Sequence, residues 1–436
     1  MKVMKFGGTS VGSAKRIKDV AGLICGSGRN IIVLSAMAGT TNTLLEIAGY
    51  LYNRNTEGAK ETIGNLESSY RKTIAELYDS DEYGNKALEY VTDTFKFLYS
   101  FTKQLFTSRE EKVIVAQGEL ISTMLMTLYL QEKGVKVALI PALDFMRTDL
   151  HGEPDADFIR GHLLPLIDSN SDADLFITQG FICKNSHDDV DNLLRGGSDY
   201  TASLVGAAVG AEEIQIWTDI DGMHDNDPRI VDGTKAVRHL HFEEAAELGY
   251  FGAKILHPTC IQPAKFANIP VRLLNTMDPE APGTLIDNVP DPETVKAVAA
   301  KDNITAIRIK SSRMLLAYGF LRKVFEIFES YQTSIDMICT SEVGVSVSID
   351  NTRHLNEIVH DLKKYGTVSV DLDMCIVCVV GDMDWENVGF ETKVMEAVRD
   401  IPVRMVSFGG SNYNISLLVK EEDRNRTLRS LSKCLF

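Results

Sequence analysis

The segment Lys5-Phe6-Gly7-Gly8-Thr9-Ser10-Val11 sets a lysine at the end of an alternating strand and follows it with two glycines and two hydroxyls. Glycines let backbone N–H groups close on an anion, and the helix beyond adds its positive N-terminal end. A lysine there is a point charge for a phosphoryl group. A tight strand–helix turn with a solvated lysine has the same spelling. The Walker pattern fails, because Ser13 and Ala14 stand where it needs lysine and a hydroxyl, and no Gly-x-Gly-x-x-Gly follows a strand.

A second cluster is Leu194-Arg195-Gly196-Gly197-Ser198-Asp199-Tyr200-Thr201. Arg195 offers a planar fork for a carboxylate or phosphate. The glycine pair and Ser198 fall where a helix begins, and Asp199 falls in its first turn, where it serves either chemistry or simple capping. A third is Trp217-Thr218-Asp219-Ile220-Asp221-Gly222 followed by Asp225-Asn226-Asp227-Pro228-Arg229. It fails the calcium-loop pattern, since Gly222 comes too early and no glutamate closes the loop. A nucleotide-binding loop beyond a strand end remains, beside a plain turn. Glu119 opens an apolar helix, and Lys254 sits in Phe251-Gly252-Ala253-Lys254; neither is distinctive alone.

These residues need a frame. Apolar runs at Ile31-Leu34, Val135-Ile140, Leu175-Gln179, Ile214-Trp217 and Val271-Leu274 alternate with helical patterns, which predicts a mostly parallel α/β sheet. Residues 51–112 are proline-free and charged, a helical excursion. Five residues, Pro279, Pro282, Gly283, Pro290 and Pro292, mark a junction. Beyond it Gly319-Phe320-x-x-Lys323-Val324 recurs as Gly389-Phe390-x-x-Lys393-Val394, each copy leading into a helix and then an alternating strand, so two small α+β modules are expected.

The 436 residues carry a net charge of −16, which opposes a nucleic-acid surface but not a locally positive anion pocket. No uninterrupted apolar run approaches the roughly 18 residues of a membrane span. Seven dispersed cysteines and no apolar leader predict a cytoplasmic protein with reduced thiols. Cys375 and Cys378 lie in a strand-like run, facing opposite sides as structural thiols.

Taken together, Lys5–Val11, Ser35–Asn42, Arg195–Thr201, Trp217–Asp219 with Asp227-Pro228-Arg229, and Phe251–Pro258 resemble an aspartokinase of the amino-acid kinase superfamily. The tail resembles that family's tandem ACT domains, most like the monofunctional lysine-sensitive branch. The resemblance implies a catalytic domain over residues 1–290, its parallel sheet sandwiched by helices, and βαββαβ modules over 303–372 and 373–436, one nested so that its last strand returns to the first. It implies transfer of the ATP γ-phosphoryl group to the side-chain carboxylate of L-aspartate, with Mg²⁺. Lys5 and Asp199 would be catalytic. Lys5, Gly7, Gly8, Ser10, Thr218, Asp219, His224, Arg229 and Lys254 would hold the nucleotide. Ser35, Thr41, Glu119, Arg195, Gly196, Gly197 and Ser198 would hold aspartate. Met314, Gly319, Phe320, Leu321, Ile335, Asp336, Ser341 and Glu342 match the effector region, for a cationic amino acid, lysine first. No dedicated metal cluster, nucleic acid or membrane partner is implied, and the ACT pair implies a dimer or tetramer. Three positions depart from the pattern: Asn192-Leu193-Leu194 before Arg195, after an acidic run at Asp188, Asp189 and Asp191; His224 for a tyrosine; and Ala317 for a serine. Another acyl-phosphate-forming kinase and a non-catalytic ACT sensor are the alternatives.

Overall fold

A computed structural model of the chain describes residues 1–436 except Ser27 and residues 194–195, 253–255, 292–294 and 312–317. The chain packs as two bodies. One comprises Met1–Met223 and Leu256–Val289, the other His224–Ile255 and Pro290–Phe436. This differs from a single boundary near residue 290, because the segment after residue 223 folds with the tail. Within the second body Asn226 donates to the Leu428 carbonyl at 3.1 Å, Arg429 donates to the Ile230 carbonyl at 3.2 Å, and Val231 joins the apolar cluster of Leu428 and Leu431.

In the first body, strands run in the order Val137–Leu139, Leu175–Gln179, Asn30–Leu34, Val3–Phe6, Ile214–Thr218, Val271–Asn275, Thr284–Asp287. All these neighbours are parallel except the last pair. The central strands are buried along their length, which is why they read as continuous apolar runs. Register places Phe6 opposite both Leu34 and Trp217. The loops after these three strands therefore leave from one edge of the sheet, the carboxyl edge where ligands gather in such folds.

The expected helical excursion is present as Thr56–Leu77 and Asp81–Ser100, after the helix Thr40–Tyr52 that the loop beyond Leu34 opens. It packs on the Ser108–Glu132 helix, which is apolar and long enough to cross a membrane by composition. That 18-residue window escapes a search for uninterrupted apolar runs because hydroxyls and Glu119 are scattered through it. Fully 78% of it is buried inside the protein, so it is the core helix of this body.

In the second body one antiparallel sheet runs Met337–Ser341, Gly344–Ile349, Ala297–Lys310, Thr367–Val380, Asn414–Lys420, Val403–Ser407. The two repeat glycines cap matching helices, Phe320–Ser330 and Phe390–Ala397, at φ 77° and 97°, and Phe320 and Phe390 are both buried. The nesting runs opposite to expectation. The chain ends in a helix, Arg424–Leu435, and it is the first half of Ala297–Lys310 that pairs with Met374–Val380. Cys375 and Cys378 are fully buried on that strand, and burial pushes both thiols up.

Candidate active site

Lys5 is the penultimate residue of the first strand, and its side chain is only 10% exposed. Its ammonium lies 2.7 Å from Asp199 Oδ1, across from the first turn of the Gly197–Val209 helix. The approach is close enough for an ion pair but lies off the hydrogen-bonding directions, so Oδ1 has a charge partner and no hydrogen bond. A buried lysine and carboxylate that retain bonding capacity form a site for a polar ligand, more than a structural clamp.

The glycine loop is tied down from below. Gly7 N–H donates to the Trp217 carbonyl at 3.3 Å, and Ala38 N–H donates to the Gly8 carbonyl at 3.1 Å. A Cβ at Gly8 would come within 2.9 Å of the Ala36 carbonyl oxygen, so only glycine allows the two loops to meet there. Ser10 is fully buried, and its hydroxyl is taken up by Thr276 at 2.8 Å. Its side chain thus braces the loop from inside the body.

The second loop, after Asn30–Leu34, is held by the core helix. Ser122 donates to the Ser35 carbonyl at 2.8 Å, and Ala36 N–H donates to Glu119 Oε1 at 3.3 Å. Glu119 is 3% exposed, and its Oε2 has no hydrogen-bond partner. Burial pushes its carboxyl up to about 7, against the Ala36 hydrogen bond. Thr41 stands half-buried in the first turn of Thr40–Tyr52.

Gly196 takes φ 68° ahead of its helix, and its carbonyl accepts Asp199 N–H at 2.8 Å. A Cβ there would meet Cys260 Sγ at 2.3 Å. Gly197 and Ser198 follow at the same helix start. Arg195 and Lys254 lie outside the described residues, as does Met314. The acidic run before Arg195 is answered within this body: Asp189 pairs with Arg109 at 2.5 Å and Asp191 with Lys112 at 2.6 Å. The start of the core helix thus answers two of the three acids of this run.

Thr218 ends the central strand, and its hydroxyl makes 3.3 Å contacts to the Ile220 backbone, while Asp219 is exposed. In the second body, His224 contacts the Thr234 hydroxyl at 3.2 Å. Arg229 is 82% exposed and forked onto Asp227 at 2.8 and 2.9 Å, which holds that carboxyl below its usual range. Among the effector residues, Gly319 and Phe320 start a helix, Ile335 is half-buried, and Leu321, Ser341 and Glu342 are exposed. Asp336 differs: its carboxylate is buried, accepting Tyr250 O–H at 2.8 Å and Lys301 at 2.7 Å.

Sequence reasoning missed Thr276, Ser122 and Lys301, which hold Ser10, Ser35 and Asp336 respectively. Only Ser122 had a local signal, one helical turn beyond Glu119. The other two meet their partners through tertiary packing.

Among the described residues no group of three or more His, Cys, Asp or Glu side chains is placed to hold a metal ion. Magnesium in kinase sites is held by one or two carboxylates and the nucleotide phosphates, and Asp199, whose Oδ1 accepts no hydrogen bond, has the chemistry that would fit such a role.

Comparison with known proteins places this geometry. The amino acid kinase family matches residues 1–275, and an ACT domain matches residues 377–435. Aspartokinase 2, chloroplastic, of Arabidopsis thaliana is 35% identical, aligned over all of this chain and 84% of its own length. Lysine-sensitive aspartokinase 3 of Escherichia coli K12 is 32% identical over all of this chain and 99% of its own. The crystal structure of E. coli aspartokinase III with aspartate and ADP superposes with a TM-score of 0.83, at 31% identity, with both chains fully covered.

Proposed function

The chain belongs to the aspartokinases of the amino acid kinase family, and from that premise we propose how its own residues carry out transfer of the ATP γ-phosphoryl group to the side-chain carboxylate of L-aspartate. The product is 4-phospho-L-aspartate. The observation that carries the assignment of roles is the Lys5–Asp199 pair at 2.7 Å, set at the carboxyl edge of the sheet beside the glycine loop.

A carboxylate nucleophile with a pKa near about 3.9 is already ionised at neutral pH, so no general base is needed. The work is positioning and neutralisation of charge on an in-line phosphoryl transfer. Lys5 supplies positive charge to the transferring group, and Asp199 aims the lysine. Gly7 and Gly8 turn backbone N–H groups toward phosphate, while Ser10 braces them through Thr276. Glu119 receives the aspartate ammonium on its unpaired Oε2. Ser35, Thr41, Arg195, Gly196, Gly197 and Ser198 complete aspartate binding. Thr218, Asp219, His224, Arg229 and Lys254 keep the nucleotide role that the family resemblance gives them. Asp199 would be the residue that meets a Mg²⁺ carried on the nucleotide, and that ion would supply charge neutralisation at the phosphates.

The effector is a cationic amino acid, lysine first, as in the lysine-sensitive relative. Asp336 is its anionic contact, and the flanking effector residues shape the site. A cytoplasmic homo-oligomer of two or four chains belongs to the same proposal.

Incubation with MgATP, L-aspartate and hydroxylamine traps the acyl phosphate. Aspartyl hydroxamate is the expected product. Folded protein that yields none, or that turns over L-glutamate faster, would overturn the assignment.

A further inference from the structure

The loop that presents Ser35 and Thr41 is gripped at both ends. Ser122 and Glu119 hold its start, at Ser35 and Ala36. Its far end is the corner at Gly39, φ 83°, which opens the Thr40–Tyr52 helix with Thr41 as second residue. There the Thr40 hydroxyl meets the Tyr70 hydroxyl at 2.9 Å, both buried, Tyr70 at 2% exposure and Thr40 at 4%. Tyr70 comes from the Thr56–Leu77 helix of the insert, which carries none of the motifs assigned to chemistry. Its ring lies 6.0 Å from that of Phe95 on the next insert helix. Thr40 and Tyr70 line a cleft of about 320 Å³ together with Gly39 and Thr43 of the loop side and Asn65 and Ser69 of the insert side. Where two walls are separated by a cleft, a buried hydroxyl pair between them fixes their spacing. Either hydroxyl left alone would be a buried polar group without its partner, which costs more than the bond itself contributes.

We propose that Tyr70 is a positioning residue for aspartate: through Thr40 it fixes the first turn of the Thr40–Tyr52 helix and so the placement of Thr41. The helical insert is then a brace for the amino-acid side of the site. The inference rests on the assignment of Thr41 to aspartate given above. The Tyr70 hydroxyl is engaged by Thr40, and its effect on aspartate is proposed to run through that residue.

The test is a double-mutant cycle read in steady-state kinetics, with Tyr70→Phe, Thr40→Val, the double variant, and Thr40→Ser. Tyr70→Phe and Thr40→Val should each raise KM for aspartate about fivefold, the effect of roughly one hydrogen bond. KM for ATP should stay near wild type. The double variant should be no worse than either single one, because both partners are then apolar. Thr40→Ser keeps the hydroxyl and should keep the wild-type KM, so Thr40→Ser against Thr40→Val decides the matter even where Tyr70→Phe fails to fold. An active wild type with unchanged aspartate KM in both single variants overturns the inference alone. So does a parallel rise in the KM for ATP, the mark of general loosening. A wild type that never turns over aspartate overturns the assignment beneath it, and the inference falls with it.

Discussion

Glu119→Gln removes a charge that the folded chain carries at a cost. The carboxyl is 3% exposed, one oxygen accepts the Ala36 N–H, and the other has no partner. Burial raises it from 4.5 to about 7. A displacement of that size is about 3 kcal/mol against the ionised form. Between pH 4.5 and 7 the unfolded chain ionises this group while the folded chain keeps its proton. Stability is therefore lost as pH rises through that window, and the full cost stands above about pH 7. Below 4.5 both states are protonated and the cost vanishes. Without substrate, the glutamine variant should melt above wild type at pH 8 and level with it at pH 4.5. Substrate reverses the comparison, because an ammonium on Oε2 stabilises the carboxylate. Aspartate binding should then expel a proton below pH 7. Measured by ADP release from pH 5.5 to 8.5, wild-type KM for aspartate should fall by up to about tenfold per pH unit and level off above 7. The glutamine variant should show a higher KM with no such step. A flat wild-type profile, or a variant that follows the wild-type curve, would refute the pairing of Glu119 with the ammonium.

Three further outcomes are expected. Gly8→Ala places a Cβ within 2.9 Å of the Ala36 carbonyl oxygen and forces the two loops apart; kcat/KM should fall about tenfold or more, since small misplacements at such sites are costly, and steady-state kinetics beside a melting curve separates this from unfolding. Asn226→Ala frees the buried Leu428 contact in the second body; stability should drop by about 1–2 kcal/mol in denaturant titration. Asp336→Asn removes the charge met by Lys301 and Tyr250; inhibition by lysine should weaken about tenfold or more for loss of one charged contact, with turnover in the absence of lysine retained, as an inhibition titration would read.

The parallel sheet was legible because its strands are buried on both faces and so spell as apolar runs, and the Gly-Phe repeat was legible because it marks two helix starts with the same backbone turn. Lys5 and Asp199 stood out by local spelling, although nothing in the sequence says that they meet. That contact exists because the strand Val3–Phe6 and the first turn of the Gly197–Val209 helix meet at one sheet edge. The order of nesting was not legible. The segment Ala297–Lys310 carries Lys301, Asp302 and Asn303 at its middle and so does not spell as one strand, and only pairing shows that its first half meets Met374–Val380 while its second half also meets Gly344–Ile349. The fate of residues 224–255 was hidden for a similar reason. Asn226 and Ile230 resemble ordinary turn residues until Leu428 and Arg429 are found against them. Ser10 reads as a phosphate contact by its place in the motif, yet its hydroxyl is spent on Thr276, which lies 266 residues away in the chain.

The central claim is that an aspartate carboxylate oxygen attacks the γ-phosphorus. L-Aspartate labelled with ¹⁸O in its side-chain carboxylate, incubated with MgATP and hydroxylamine, tests it directly. Attack forms a new oxygen–phosphorus bond as the bond to ADP breaks; hydroxylamine then takes the acyl carbon, and phosphate departs with the bridging oxygen. Each phosphate released should carry one ¹⁸O, seen as a shifted ³¹P resonance alongside aspartyl hydroxamate. Unlabelled phosphate would mean that water, not aspartate, received the phosphoryl group, and would contradict the account.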